Sequence, residues 1–165
     1  MRQSERVEFP ADPQAVAAML ADPGAVTARI EASGASGPEV AVVGTTAGAF
    51  TVTSRRRLPT HEIPAAFRSF VGSELEIRQV DAWEEAAPDG ARLATTSVDI
   101  TGTPVRFVGT TRIEPAGAGT TTQVVEGTIT VGLPLFAEAV AEATAKALRA
   151  AIAAEAVAAT AWLSR

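Results

Sequence analysis

Few side chains in this sequence are placed to do acid–base chemistry, and two carboxylates are the main candidates. Asp81 lies in a predicted strand on the same side as Ile77 and Trp83. Glu155 lies at the edge of an apolar stripe on a predicted helix, near Leu148. A carboxylate held among apolar groups has a perturbed pKa, which is a lead to a catalytic site. The alternative is structural: Asp81 turns outward where its strand twists, and Glu155 emerges beyond the end of the sheet.

Two further polar residues are candidates for contacting a ligand. Arg56 shares strand parity with Phe50 and Val52, which predicts a guanidinium at the rim of the interior, facing an anionic head group. Its alternative is an arginine at the end of a strand that reaches solvent. Gln79 shares the face of Asp81, so strand parity brings a second polar group inward.

Other kinds of site are excluded by residue type. The sequence has one histidine and no cysteine, so a thiol nucleophile and the usual zinc sets are impossible. A Ser-His-Asp arrangement would depend on His61, which lies beside prolines in a predicted loop. Gly117-Ala118-Gly119 is the tip of a hairpin and not a phosphate loop. We therefore predict no metal and no cofactor.

Charge and composition indicate a single folded domain, residues 1–165. The chain is 47% hydrophobic and 20% charged, which disfavours disorder. Its formal net charge is −5, and Arg55-Arg56-Arg57 is divided between two strand faces, so nucleic-acid binding is not expected. The start lacks the apolar core of a signal peptide, and the last helix carries too many charges to cross a membrane. These features predict a cytoplasmic protein of undetermined oligomeric state.

The elements that must position these residues can be read from alternation and turn residues. Two short helices, begun by Asp12-Pro13 and Asp22-Pro23, follow the first strand. Hairpin turns then separate six more strands, and no crossover helix joins them, so the sheet is antiparallel. A long loop joins the predicted strands Phe50–Arg57 and Leu75–Glu84. It contains a short aromatic helix, Ala65 to Gly72, that could form a lid. The predicted strands are Arg2–Phe9, Val40–Val43, Phe50–Arg57, Leu75–Glu84, Arg92–Ile100, Val105–Glu114 and Thr120–Val131.

The last fifth of the chain, Leu133 to Arg165, is predicted to be one long alanine-rich helix. One side carries the charged residues Glu138, Glu142, Lys146 and Arg149, and should face water. The opposite side is an apolar stripe with a shallow alanine middle, which either lets the sheet approach closely or leaves a space. The stripe consists of Leu133, Phe136, Val140, Ala143, Ala147, Ala151, Ala154, Ala158 and Trp162.

This order of elements resembles the START-like helix-grip superfamily, also called the SRPBCC or polyketide cyclase and lipid-transport superfamily. The opening Ser4 to Pro13, the segment Phe70-Val71-Gly72, and Val131 to Pro134 are similar to an uncharacterised family found mainly in high-GC bacteria. The resemblance covers essentially the whole chain. It implies an α+β fold in which a curved, seven-stranded antiparallel sheet wraps around the C-terminal helix, with an apolar cavity between them. No catalytic motif is carried over.

The resulting hypothesis is a non-enzymatic protein that binds an apolar or amphipathic small molecule in that cavity. One alternative is a cyclase- or hydratase-like enzyme that uses cavity polar groups. Another is a protein-interaction module. The predicted ligand-binding residues are Arg56, Phe67, Phe70, Gln79, Trp83, Phe107, Phe136, Val140, Ala147 and Ala151, and the candidate catalytic residues are Asp81 and Glu155.

Overall fold

The order of strands and helices agrees with the sequence prediction. The computed structural model describes residues 1–60, 68, 72 and 74–165. Within these ranges two short helices follow the first strand, and a long helix ends the chain. In chain order the elements are β1 (Arg2–Phe9), α1 (Pro13–Leu20), α2 (Pro23–Ala32), β2 (Ser36–Gly44), β3 (Phe50–Pro59), β4 (Glu74–Trp83), β5 (Arg92–Ile100), β6 (Val105–Pro115), β7 (Thr121–Val131) and α3 (Ala137–Leu163).

The described strands form one curved antiparallel sheet in the order β1-β7-β6-β5-β4-β3-β2. Strands β2 to β7 pair with their neighbours in sequence, as hairpin turns require, whereas β1 pairs with β7. The predicted α+β helix-grip architecture is confirmed. Because successive residues of a strand alternate between faces, the pairing also fixes which side chains point towards the helices.

Two similar caps begin the short helices. The side chain of Asp12 accepts a hydrogen bond from Ala15 N at 2.8 Å, and that of Asp22 accepts one from Ala25 N at 3.0 Å. Proline follows each cap, where its missing N–H costs nothing. These signals set where α1 and α2 begin and so carry Val26, Arg29 and Ile30 over the concave face of the sheet.

The core lies between that concave face and the helices. One cluster of buried side chains joins α1 and α2 to β3 and β4, and includes Phe9, Ile30, Phe50 and Trp83. A second cluster joins α3 to β6 and β7 through Phe107, Ile129, Ala141 and Ala145. The cavity described below lies where the two clusters meet, since Ile30, Trp83 and Phe107 also line it.

The inward face of α3 differs from the predicted stripe. The charged side is exposed as expected, but the residues that turn inward are Ala141, Ala145, Leu148, Ile152 and Ala159. This face is shifted around the helix from the predicted stripe, of which Ala151 still lines the cavity and Trp162 still packs against the core. Alanine gives little preference for either side, so the bulky Leu148 and Ile152 decide which face docks. The helix also begins at Ala137 and not at Leu133, after Phe136 in a left-handed conformation with φ 63°.

The convex face of the sheet carries paired charges, as strand parity predicts. Arg112 donates to Glu126 Oε2 at 2.9 Å, and Arg106 lies 3.2 Å from Asp99. The hydrogen bond between Arg112 and Glu126 raises the pKa of the arginine and lowers that of the carboxylate. Among the helices described, none is long and apolar enough to span a membrane.

Candidate functional site

A cavity of about 90 Å³ lies between the concave face of the sheet and helices α2 and α3. Its volume is roughly that of three liquid water molecules, so it is smaller than a typical pocket for a drug-sized ligand. Its lining is also more polar than the apolar cavity expected from the sequence. The described lining residues are Leu20, Val26, Arg29, Ile30, Val52, Ser54, Arg56, Gln79, Asp81, Trp83, Thr96, Val98, Phe107, Thr111, Gln123, Val125, Leu148, Ala151, Ile152 and Glu155.

A row of hydrogen-bonded side chains crosses the sheet at the floor of this cavity. Arg56 donates from Nη1 to Ser54 Oγ at 3.3 Å and from Nη2 to Gln79 Oε1 at 3.0 Å. Gln79 Nε2 in turn donates to Asp81 Oδ2 at 2.8 Å. The row therefore links a guanidinium to a carboxylate through an amide.

A second chain of hydrogen bonds reaches Asp81 from the other side. Thr96 Oγ1 donates to Asp81 Oδ1 at 2.7 Å and lies 2.7 Å from Thr111 Oγ1. Because a hydroxyl has one proton and Thr96 gives it to Asp81, Thr111 must be the donor to Thr96. Both chains converge on Asp81, and each of its carboxyl oxygens accepts a hydrogen bond from the protein.

Burial shifts both ionisable ends of the row away from their charged forms. It raises the pKa of Asp81, although the hydrogen bonds from Thr96 and Gln79 act in the opposite direction. It lowers the pKa of Arg56, which the negative charges of Glu155 and Asp81 partly oppose. A guanidinium nevertheless stays protonated in proteins, so Arg56 is a fixed cation in the wall of the cavity.

The helical side of the cavity contains an ion pair. Arg29 Nη2 of α2 donates to Glu155 Oε2 of α3 at 3.3 Å, and the two side chains are 13% and 19% exposed. Two polar atoms near this pair are buried without a hydrogen-bond partner in the described structure, Arg29 Nε and Gln123 Oε1. Unpaired buried polar atoms are uncommon and call for an explanation.

The structure brings together seven of the residues singled out from the sequence and leaves the others apart. The seven that line the cavity are Arg56, Gln79, Asp81, Trp83, Phe107, Ala151 and Glu155. Phe136 precedes α3 and is 62% exposed, and Ala147 lies on an exposed side of α3, so the predicted inward placement was wrong for both. Val140 is half-buried outside the lining. Phe67, Phe70 and the rest of the predicted lid, apart from residues 68 and 72, lie outside the described residues, as does His61.

Sequence reasoning missed five polar residues that complete the site. Ser54 and Gln123 share strand parity with the inward-facing Val52 and Val125, so alternation could have identified them. Thr111 likewise shares the parity of the inward-facing Phe107 on β6. Thr96 lies on β5, whose facing the sequence left open. Arg29 lies three residues after the buried Val26 on α2, and this helical spacing was its signal. No cluster of three or more His, Asp or Glu side chains suited to a metal is found in the described ranges.

The family model described as "Protein of unknown function (DUF2505)" matches residues 4–163. The chain belongs to this family. The curated proteins contain no sequence that matches it. The family assignment therefore covers nearly the whole chain and brings no activity with it.

Solved structures with the same architecture cover the chain almost completely. The protein TTHA0849 from Thermus thermophilus has a TM-score of 0.65 and 14% identity, over 98% of this chain and 99% of that chain. The Zhui aromatase/cyclase from Streptomyces sp. R1128 has a TM-score of 0.64 and 14% identity, over 100% and 94%. The human StarD13 (DLC2) lipid transfer and protein localization domain has a TM-score of 0.62 and 13% identity, over 95% and 76%. At these identities the likeness shows the START-like helix-grip fold and nothing finer.

Proposed function

We propose that this protein binds a small amphipathic molecule in the cavity between the sheet and α3, and that it does not catalyse a reaction on it. The observation that carries the proposal is the mixed lining of one partly open cavity. Apolar groups such as Trp83, Phe107 and Ile152 surround a short row of polar groups. Ligand sites are commonly built in this way, with apolar walls and a few polar groups that fix orientation.

The size of the cavity limits what enters it. About 90 Å³ accommodates the polar end of a ligand or a molecule of a few heavy atoms, and not a whole lipid. The polar row would hold that end while the apolar walls contact the carbon atoms beside it. The fold supports this proposal, since the similar structures include a lipid transfer domain.

The hydrogen bonds of the two carboxylates favour binding over catalysis. Both oxygens of Asp81 accept hydrogen bonds from Gln79 and Thr96, and Glu155 is paired with Arg29. A general acid or base must lie within hydrogen-bond reach of the proton it transfers. Each carboxylate is therefore held in place by a protein donor, and only its remaining lone pairs can meet a ligand.

Two alanines of α3 provide a matched test of the proposed site. Ala151 lines the cavity, whereas Ala147, one turn earlier, is exposed. Native mass spectrometry of protein purified from its own host should show a bound small molecule in the wild type and in Ala147→Leu. Ala151→Leu fills the cavity and should lose that mass while it stays folded. A folded protein with no bound mass in any form, or equal mass in both variants, would contradict the proposal.

A second candidate function is an enzyme of the cyclase or hydratase kind. It is favoured by one observation: Arg56, Gln79 and Asp81 converge in a single cavity within hydrogen-bond distance. Burial raises the pKa of Asp81, and a carboxyl group whose pKa is raised by an apolar site can serve as a general acid. Incubating the molecule released from the wild type with fresh protein distinguishes the candidates. Its chemical conversion by the wild type, lost in Asp81→Asn, would support the enzyme.

A further inference from the structure

Two buried polar atoms at the cavity lack a hydrogen-bond partner in the described structure, the donor Arg29 Nε and the acceptor Gln123 Oε1, and Arg56 has further N–H groups to donate. Arg56 is 8% exposed, and two of its N–H groups donate to Ser54 and Gln79. Its remaining N–H groups have no acceptor among the described residues. Arg29 Nε is a further buried donor without a partner in the described structure. Arg56 and Arg29 can therefore each donate a further hydrogen bond to an acceptor placed in the cavity.

The charge of Arg56 is also without a direct counter-ion in the described part of the chain. Gln79 separates it from Asp81, and Glu155 is in contact with Arg29 instead. A buried cation is costly unless it is paired and hydrogen-bonded. An anionic group in the cavity would meet both needs.

Gln123 gives an independent indication that the cavity holds polar atoms. Its side chain is 6% exposed, and its Oε1 atom has no hydrogen-bond donor in the described structure. Leaving such an atom buried and unpaired costs about 1 to 3 kcal/mol. A water molecule bound beside it would supply the missing donor, which an ionised carboxylate cannot do.

We propose that the molecule bound in this cavity is a carboxylic acid, held as its carboxylate by Arg56, with its carbon chain against Trp83, Phe107 and Ile152. This inference rests on the proposed binding function and names the chemical class of its ligand. An ionised carboxylate is an acceptor at both oxygens and matches the planar donor fork of a guanidinium.

A carboxylate fits the cavity better than other charged groups do. A phosphate monoester brings close to two negative charges, whereas one guanidinium lacks a direct counter-ion among the residues described here. The small volume also favours the smaller group. An ammonium group would add a positive charge and more donors to a wall that already has unpaired donors.

Three probes with the same carbon chain test the proposal: hexanoate, hexanol and hexylammonium. Their affinities for the chain of residues 1–165 are measured by isothermal titration calorimetry at neutral pH. We expect hexanoate to bind about tenfold or more tightly than hexanol, as a charge-assisted hydrogen bond does, and hexylammonium not to bind. Hexyl phosphate serves as a second anion and should bind more weakly than hexanoate.

Two arginines on the same strand separate the role of Arg56 from a general charge effect. Arg56→Gln should abolish the preference for hexanoate over hexanol, and Arg56→Lys should retain part of it. Arg55→Gln changes the exposed neighbour on the opposite face and should leave the preference intact. The wild-type comparison needs no variant, so it decides the question even where Arg56→Gln does not fold.

The outcomes distinguish this inference from the proposed function. Three outcomes would overturn the assignment of a carboxylate ligand but not the proposed binding function. They are binding of hexanol or hexylammonium that is as tight as that of hexanoate or tighter, binding of hexyl phosphate that is tighter than that of hexanoate, and an unchanged preference for hexanoate over hexanol in folded Arg56→Gln. Binding of none of the probes, together with no bound mass in the protein from its own host, overturns both.

Discussion

Arg56 and Asp81 lie in one buried row of the sheet but do not form an ion pair, because Gln79 stands between them. Gln79 accepts from Arg56 Nη2 at 3.0 Å and donates to Asp81 Oδ2 at 2.8 Å. The three residues come from neighbouring strands β3 and β4, and each points towards the helices. A single amide thus satisfies an arginine and a carboxylate that would otherwise lack those partners.

The first prediction concerns this amide. Gln79→Leu keeps a similar shape but removes both hydrogen bonds, which leaves a buried charged donor and a buried acceptor with fewer partners. We expect the free energy of unfolding, measured by urea denaturation, to fall by about 1 to 3 kcal/mol. Arg78→Gln, one residue earlier on the exposed face, should change it by no more than about 0.5 kcal/mol. Equal effects of the two variants would show that the row contributes nothing to stability.

The second prediction concerns the pH dependence of stability. The folded protein raises the pKa of Asp81, so the folded state binds this proton more tightly than the unfolded chain does. The stability that this adds is fully present below the ordinary carboxyl pKa and is lost as the pH rises through the raised value. Asp81→Asn does not ionise there. Relative to wild type, its free energy of unfolding should therefore increase as the pH rises from acid to neutral.

Hydrogen bonding makes this variant a fair comparison. An asparagine can accept from Gln79 through Oδ1 and donate to Thr96 through Nδ2, after which Thr96 donates to Thr111. Glu142→Gln, on the exposed side of α3, is the control for removing one carboxylate. Urea unfolding of all three proteins at several pH values is the measurement. A difference between Asp81→Asn and wild type that is constant with pH, or that shrinks towards neutral pH, would contradict the assignment.

Strand parity predicted part of the sheet side of the site. Alternation has a strict period of two, so once Phe50 and Ile77 are taken as inward-facing, Arg56, Gln79 and Asp81 must follow. Hairpin turns likewise determined the order of the strands, and Asp12 and Asp22 determined where the short helices begin. These features depend on residues that are close in sequence.

The helical side could not be predicted in the same way. Alanine is nearly indifferent to burial, so a helical wheel whose apolar stripe consists mainly of alanines does not indicate which side is buried. The larger side chains of Leu148 and Ile152 determine which side of α3 packs against the sheet. The pair formed by Arg29 and Glu155 joins residues 126 positions apart, which no local pattern reveals. The cavity volume depends on how these distant side chains pack, so it required the structure.

The third prediction is that Arg29 and Glu155 are energetically coupled. Arg29→Met or Glu155→Leu alone leaves a largely buried charge without its partner. Each should lower the free energy of unfolding by about 3 to 5 kcal/mol, reduced by the hydration that the remaining charge gains from solvent. The double variant removes both charges and should cost less than the sum. A double-mutant cycle by urea denaturation measures this coupling, which we expect to be about 1 to 3 kcal/mol.

Another ion pair of α3, which joins it to strand β1, is the control for this cycle. Arg149 Nε lies 3.1 Å from Glu5 Oε1, but the arginine side chain is 60% exposed. Exposed pairs contribute little, so its coupling should be about 0.2 to 1 kcal/mol. A coupling between Arg29 and Glu155 as small as that of this pair would show that burial does not strengthen it.

The fourth prediction concerns a glycine that positions an aromatic wall of the cavity. A Cβ atom at Gly127 would lie 2.6 Å from Phe107 Cζ and 2.5 Å from the carbonyl oxygen of Val108, so Gly127→Ala must displace the ring. Such overpacking should lower the free energy of unfolding by about 1 to 3 kcal/mol in urea denaturation. Adding Phe107→Leu should restore only part of the loss, because the carbonyl is backbone. Gly48→Ala, whose Cβ would meet only Glu85 Oε1 at 3.9 Å, is the control and should be nearly neutral. If Gly127→Ala is as stable as Gly48→Ala, then close contact with glycine does not hold Phe107 in place.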